Sequence, residues 1–178
     1  MKISAFDYAN EIVSSIGKGI LLTTQYEGKI NSMSIGWGTL GIEWRKPIFT
    51  VFVRENRYTK ELLDKSGEFT INIPYGKPVD KEIITFCGTK SGRDVDKIKE
   101  LNMTVAAPEI VSTPAFKELP LTLECKVIYK QKQDESAIGE ESKRLFYPQD
   151  VDSSFCGSNK DIHTAYYGEI VSAYIVED

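Results

Sequence analysis

A mainly β fold, an antiparallel barrel carrying short helices, is predicted by three features of the sequence. The apolar runs are short and rich in the β-branched and aromatic residues that suit a pleated surface. The helical segments are few, short and scattered between strands, without the regular alternation that builds a doubly wound sheet. The run Ile48 to Arg54 sets Phe49, Val51 and Val53 on one face and Ile48, Thr50, Phe52 and Arg54 on the other, so both faces are mostly apolar, as in a barrel wall. The chain has 178 residues, enough to bury roughly 70% of its unfolded surface in one core. One domain over residues 1–178 is therefore expected, and no linker composition divides it.

Strands are expected over Gly19 to Gln25, Met33 to Ile42, Ile48 to Arg54 and Phe69 to Pro74, then over Leu121 to Lys132 and Ala165 to Val176. Thr59 is a good cap residue, Glu61 suits the positive end of a helix, and Gly67 stops it, so a short helix fills that interval. Pro78 to Cys87 ends similarly at Gly88. Asp94 to Leu101 has Val95, Ile98 and Leu101 at helical spacing. The polar stretch 133–161 is too long for a structureless loop, and one short helix is expected around Glu140 to Phe146.

Composition removes several classes of function. Twenty-two basic against 26 acidic residues leave a formal net charge of -4, so no overall field attracts nucleic acid. No apolar stretch reaches the roughly 20 residues of a membrane helix, and Met1 to Tyr8 lacks the apolar centre of an export signal. A cytoplasmic protein is the resulting expectation. Cys87, Cys125 and Cys156 are odd in number and lack CxxC spacing, which speaks against a disulfide framework and a zinc ribbon. His163 is the single histidine, which makes a His-rich metal centre implausible, and no G-x-S-x-G elbow seats a serine nucleophile.

Two glycine patterns invite phosphate readings. Gly36-Trp-Gly-Thr-Leu-Gly41 has the letters of a dinucleotide fingerprint, but the helix that must follow is missing before Pro47. Glycines inside strands mark either a bend or a place where another group approaches the main chain, and the residues leave both readings open. Gly88-Thr-Lys-Ser-Gly92 lacks the glycine spacing of a triphosphate loop, with Thr89 directly before Lys90. It still offers amides, two hydroxyls, Lys90 and Arg93, which suit a single anion as well as a solvated turn. Arg54, Arg57 and Thr59 form a second cluster at a strand end and helix start, where guanidinium groups and free amides suit a phosphate. Two such clusters beside a glycine-bearing strand favour a phosphorylated planar cofactor.

Three segments then make a specific match. Asn31-Ser-Met-Ser-Ile-Gly-Trp-Gly38, Pro47-Ile-Phe-Thr-Val-Phe-Val-Arg-Glu-Asn-Arg-Tyr-Thr59 and Phe86-Cys-Gly-Thr-Lys-Ser-Gly-Arg-Asp-Val-Asp-Lys97 resemble the flavin reductase-like family that includes flavoredoxin. Tyr167-Gly-Glu-Ile170 resembles that family's last strand. The resemblance runs in order from about Ile20 to Val176. It implies an FMN-binding split barrel of antiparallel Greek-key type, a homodimer, and FMN as cofactor with NADH or NADPH, or a redox protein, as electron donor.

By the same resemblance, Ser34, Ile35, Gly36 and Trp37 would line the flavin rings. Thr50, Arg54, Arg57 and Thr59 would face the ribityl phosphate. Cys87, Gly88, Thr89, Lys90, Ser91 and Arg93 would close the pocket. Hydride chemistry belongs to the flavin, so no acid-base triad is required. An oxidoreductase is thus expected, with a flavoredoxin-type electron carrier as the alternative. Cys87 reads as a packing thiol in preference to a reactive one. His163 reads as a bridge between backbone elements in preference to a proton donor. Trp37 and Trp44 would stack on flavin or on each other, and the 133–161 excursion would carry specificity.

Overall fold

A computed structural model describes residues 1–76, 78, 80–151 and 159–177. Seven strands form one antiparallel sheet: β1 (Ile20–Tyr26), β2 (Lys29–Ile35), β3 (Gly38–Glu43), β4 (Lys46–Arg54), β5 (Glu68–Ile73), β8 (Leu121–Lys132) and β9 (His163–Ile175), in the order β2-β1-β5-β8-β9-β4-β3. The two-residue strands β6 (Val105–Ala106) and β7 (Ala115–Phe116) pair separately.

The order of strands dictates a curl. β2 and β3 lie at opposite ends of the sheet, yet only Gly36 and Trp37 separate them in the chain. Seven strands laid flat would put those ends about 29 Å apart. Three peptide steps reach only about 11 Å. The sheet must therefore roll up until its ends nearly meet. No strand pairing joins β2 to β3 among the described residues, so the cylinder stays open at this seam and the expected barrel is only approximate. The expected strand Met33 to Ile42 is corrected accordingly: it is the end of β2, a two-residue crossing and most of β3.

Period-two alternation decides which side chains enter the cylinder. Phe49, Val51 and Val53 of β4, Phe69, Ile71 and Ile73 of β5, and Leu121, Leu123 and Cys125 of β8 are fully buried in one cluster. Ile12 and Ile16 of α1 (Ala9–Ile16), a helix absent from the sequence-based expectations, join that core. Gly168 lets β9 pass close to this core, because a Cβ there would strike Phe69 and Cys125. The outer face of β1 is covered by Ile83 and Cys87 of α3 (Lys81–Thr89), with Met103, Phe116 and Leu119.

Helix α2 (Tyr58–Ser66) ends at Gly67, whose φ of 64° is the left-handed geometry a helix stop uses. Helix α3 starts at the Asp80 cap and runs through Gly88 to Thr89, one residue past the expected stop. The expected helix Asp94 to Leu101 contracts to α4 (Lys97–Glu100), because Asp96 caps it from inside that interval. Helix α5 (Glu140–Phe146) lies where the excursion was expected to hold one.

Asp64 of α2 ties this helix to the sheet. It accepts from Lys60 Nζ and Lys130 Nζ at 2.7 Å and from Tyr166 Oη at 2.8 Å. Burial alone would raise its pKa, but the bonds from Lys130, Lys60 and Tyr166 together bring it from 3.8 to about 2. A depressed carboxylate stabilises the fold above its unfolded pKa and loses that contribution as pH falls through the folded value. Stability is therefore expected to fall between about pH 4 and pH 2. In Asp64→Asn, urea midpoints measured across that window should show a shallower slope, by up to one proton.

Candidate functional site

Two adjoining clefts open beside the seam. The first has a volume of about 330 Å³ and lies between β2, the start of α2 and the segment from Cys87 to Lys97. The second, about 170 Å³, lies over the crossing Ile35-Gly36-Trp37 and is walled by Phe52, Arg54 and His163. Met33, Ser34 and Arg57 line both, so the two spaces adjoin.

Glycines set the width of the first cleft. A Cβ on Gly88 would collide with the Ser34 hydroxyl, and one on Gly92 with the Asn31 amide, so α3 and the following loop close onto β2 only because both positions lack side chains. Gly36 is different. Its nearest atom to a built Cβ is the Ile16 carbonyl at 3.9 Å, which leaves its main chain bare toward the second cleft.

Donors converge on the first cleft. Arg57, the residue before α2, provides no side-chain cap; the Lys60 amide donates to its carbonyl at 3.0 Å, while Tyr58 and Thr59, which open the helix, line the cleft. The Ser91 and Gly92 amides have no acceptor among the described residues. Lys90 and Ser91 line the same wall. Thr59 and Asn31 are both largely buried in the cleft wall, and the Thr59 hydroxyl accepts from Asn31 Nδ2 at 2.7 Å. Arg93 pairs with Glu61, donates to the Asn56 carbonyl at 3.1 Å and lies 5.4 Å from the Tyr58 ring centroid. Its first task is to hold the loop to α2.

Lys97 is a buried cation in the cleft floor. Its ammonium donates to the carbonyls of Ser32 at 2.8 Å and Cys87 at 3.0 Å, joining β2 to α3. Burial pushes the Cys87 thiol up to about 11, with Lys97 opposing, so the thiol stays protonated near neutral pH. That agrees with a packing role. Cys125 is buried and unpaired, and Cys156 lies outside the described residues.

The second cleft carries a neutral histidine. Burial first, then the charges of Arg54 and Arg57, hold His163 down at about 3. Its Nδ1 is 2.8 Å from the Tyr147 hydroxyl, which also donates to Gln133 Oε1 at 3.2 Å. Trp37 is packed against Phe146 and His163, whereas Trp44 packs edge-on against Tyr129, so the two tryptophans do not stack on each other.

Of the residues expected at the site, Ser34, Ile35, Gly36, Trp37, Arg54, Arg57, Thr59, Cys87, Gly88, Lys90, Ser91 and Arg93 line the two clefts. Thr50 and Thr89 line neither. Thr50 is buried in mid-strand opposite Thr39 and Tyr167, and the Thr89 hydroxyl turns back to the Thr85 carbonyl at 2.8 Å. Arg54 faces the second cleft, but its guanidinium is engaged by main-chain carbonyls of Phe146, Asn159 and Asp161. Asn31, Asn56, Tyr58, Asp94 and Lys97 also line the clefts without having been singled out. All five fall inside the three matched segments, which was the available signal.

A rolled antiparallel sheet with a donor-rich cleft at its open seam defines the class as a barrel-like, mainly β protein. Residues 14–178 match the flavin reductase like domain, and the chain belongs to that family. It is 26% identical to flavoredoxin from Methanosarcina acetivorans, with a TM-score of 0.63 over 89% of this chain and 68% of that one. The fold is also that of flavoredoxin from Desulfovibrio vulgaris (Miyazaki F), at 23% identity and a TM-score of 0.64 over 89% of this chain and 69% of that one. Nitrilotriacetate monooxygenase component B from Bacillus cereus shares it at 15% identity and a TM-score of 0.65, over 99% and 82% of the two chains. An uncharacterised protein of Archaeoglobus fulgidus is 28% identical over 100 residues, 56% of this chain and 55% of that protein. Another, from Aeropyrum pernix, is 27% identical over 110 residues, 61% and 41% of the two. The chain spans about half the length of these curated relatives. Among the described residues, no helix is long and apolar enough to cross a membrane.

Proposed function

We propose that the chain binds FMN across the two clefts and works as an FMN-dependent oxidoreductase, with NADH or NADPH as reductant. The observation that carries this reading is that the two clefts share Met33, Ser34 and Arg57 as walls, which puts a donor-rich end and a flat end side by side. The residues fit the cofactor's chemistry. A phosphate dianion suits the first turn of α2, the Ser91 and Gly92 amides, Arg57 and Lys90. The bare main chain at Gly36, with Met33, Trp37 and Phe52, suits a flat ring system.

Bound flavin supplies the hydride and electron chemistry. This chain's residues bind, orient and exclude water. Ser34 and Gly88 set the spacing of the walls, Lys97 keeps positive charge in the floor, and the neutral His163 adds no charge at the seam. Arg54 keeps the far wall in place, and Thr59 is hydrogen-bonded to Asn31 in the cleft wall. Thr50 and Thr89 would support the walls from outside the lining. A homodimer in the cytoplasm is the accompanying expectation.

The likeness to the Methanosarcina flavoredoxin favours a second reading, an electron carrier that holds FMN without its own nicotinamide reductase activity. A titration separates the two. Flavin-free protein is expected to take up one FMN per chain and turn yellow, then bleach anaerobically with NADH or NADPH. Bleaching only with dithionite or a redox protein supports the carrier. A chain that takes up no FMN ends both readings.

A further inference from the structure

Arg54 is 8% exposed at the end of β4, and among the described residues every hydrogen bond its guanidinium makes is to main chain. Nη2 donates to the Phe146 carbonyl at 2.9 Å, and Nη1 to those of Asp161 at 2.6 Å and Asn159 at 3.1 Å. Phe146 is the last residue of α5, where carbonyls lack intrahelical partners and the helix dipole is negative, so a cation there is favoured. The same guanidinium lies 5.0 Å from the Tyr147 ring centroid and 6.0 Å from that of Trp37. One side chain thus joins two segments that are far apart in the sequence from β4.

We propose that Arg54 is a positioning residue that ties 140–147 and 159–161 against Trp37, making them the backing of Trp37 and of the groove beside the second cleft, and so selecting which electron donor or acceptor enters there. The backing reaches Trp37 directly. The Phe146 ring meets the indole edge-on at 5.2 Å between centroids, and His163, bonded to Tyr147, meets it at 5.0 Å. Trp37 in turn borders both the second cleft and an adjoining groove lined by Ile16, Phe52, Gln133 and Tyr147. Since the tie grips carbonyls, side chains of the excursion can vary without loosening it. Lysine cannot reproduce it, because a single ammonium lacks the planar fork that reaches three acceptors.

The tie is tested without flavin, and its role in selection rests on the FMN reading. In a Trp44→Phe background, where Trp37 is the remaining tryptophan, Arg54→Met is expected to speed tryptic cleavage after Lys143 and Arg144 by about tenfold or more. Trp37 emission should move to the red, and Arg54→Lys should fall between. A folded Arg54→Met protein with unchanged cleavage and emission overturns the tie. Should that variant not fold, Phe146→Ala truncates a half-exposed ring; it must alter Trp37 emission, and unchanged emission overturns the backing. With FMN, Arg54→Met is expected to shift KM for the donor or acceptor by about fivefold or more, a larger change than in the FMN Kd. A Kd raised tenfold with cleavage unchanged would return Arg54 to the phosphate and end the proposal. If the parent protein takes up no FMN, the functional reading fails while cleavage and emission still judge the tie.

Discussion

Glu124→Ala is expected to lower stability by about 4 kcal/mol and the melting temperature by about 10 °C. Glu124 is fully buried on the outer face of β8. Its carboxylate accepts from the amides of Glu109 at 2.6 Å, Ile110 at 2.7 Å and Val111 at 3.0 Å, and from the Tyr174 hydroxyl at 2.8 Å. Alanine leaves the buried Val111 amide and Tyr174 hydroxyl without an acceptor and removes the partner of the more exposed Glu109 and Ile110 amides, and bonds to a charged group carry about 1.5–3 kcal/mol each without adding fully. The loop that follows β6 would lose its anchor to the sheet. Glu124→Gln keeps one acceptor oxygen and should lose about half as much. Urea unfolding measures the stability, and amide exchange at 109–111 reports the loop; a loss below about 1 kcal/mol would contradict the anchoring role.

Arg57→Ala is expected to raise the FMN dissociation constant about 10- to 150-fold, the equivalent of about 1.5–3 kcal/mol. Arg57 lines both clefts and directly precedes the uncapped first turn of α2, where a phosphate would collect positive charge and free amides together. Fluorescence titration with FMN and with riboflavin provides the control. Without the phosphate, the parent and Arg57→Ala proteins should bind nearly equally. Equal FMN curves for the two proteins would remove Arg57 from the phosphate site.

The contrast between Arg54 and Arg57 shows where sequence reasoning stops. Both sit in one short run and read alike as phosphate ligands. Only the fold reveals that Arg54 meets carbonyls 92, 105 and 107 residues further along the chain. The role of Lys97 is hidden in the sequence for the same reason, since its burial depends on β2 and α3 meeting above it. The break of the expected Met33 to Ile42 strand is also nonlocal: nothing within Ser34 to Gly38 states that its two halves belong to opposite ends of the sheet.

Much of the short-range chemistry was legible, although α1 and the cap of α4 at Asp96 were not. The two faces of β4, the stop of α2 at Gly67, the helix at Glu140 to Phe146 and the three family segments all depend on residues a few positions apart, and the chain alone determines them. The rolling of the sheet, the open seam at Gly36 and Trp37, the adjacency of the clefts and the partners of each buried cation were decided by tertiary structure. Those features arise from pairing order and from polar groups that must find partners once water is excluded, and such partners lie tens of residues away.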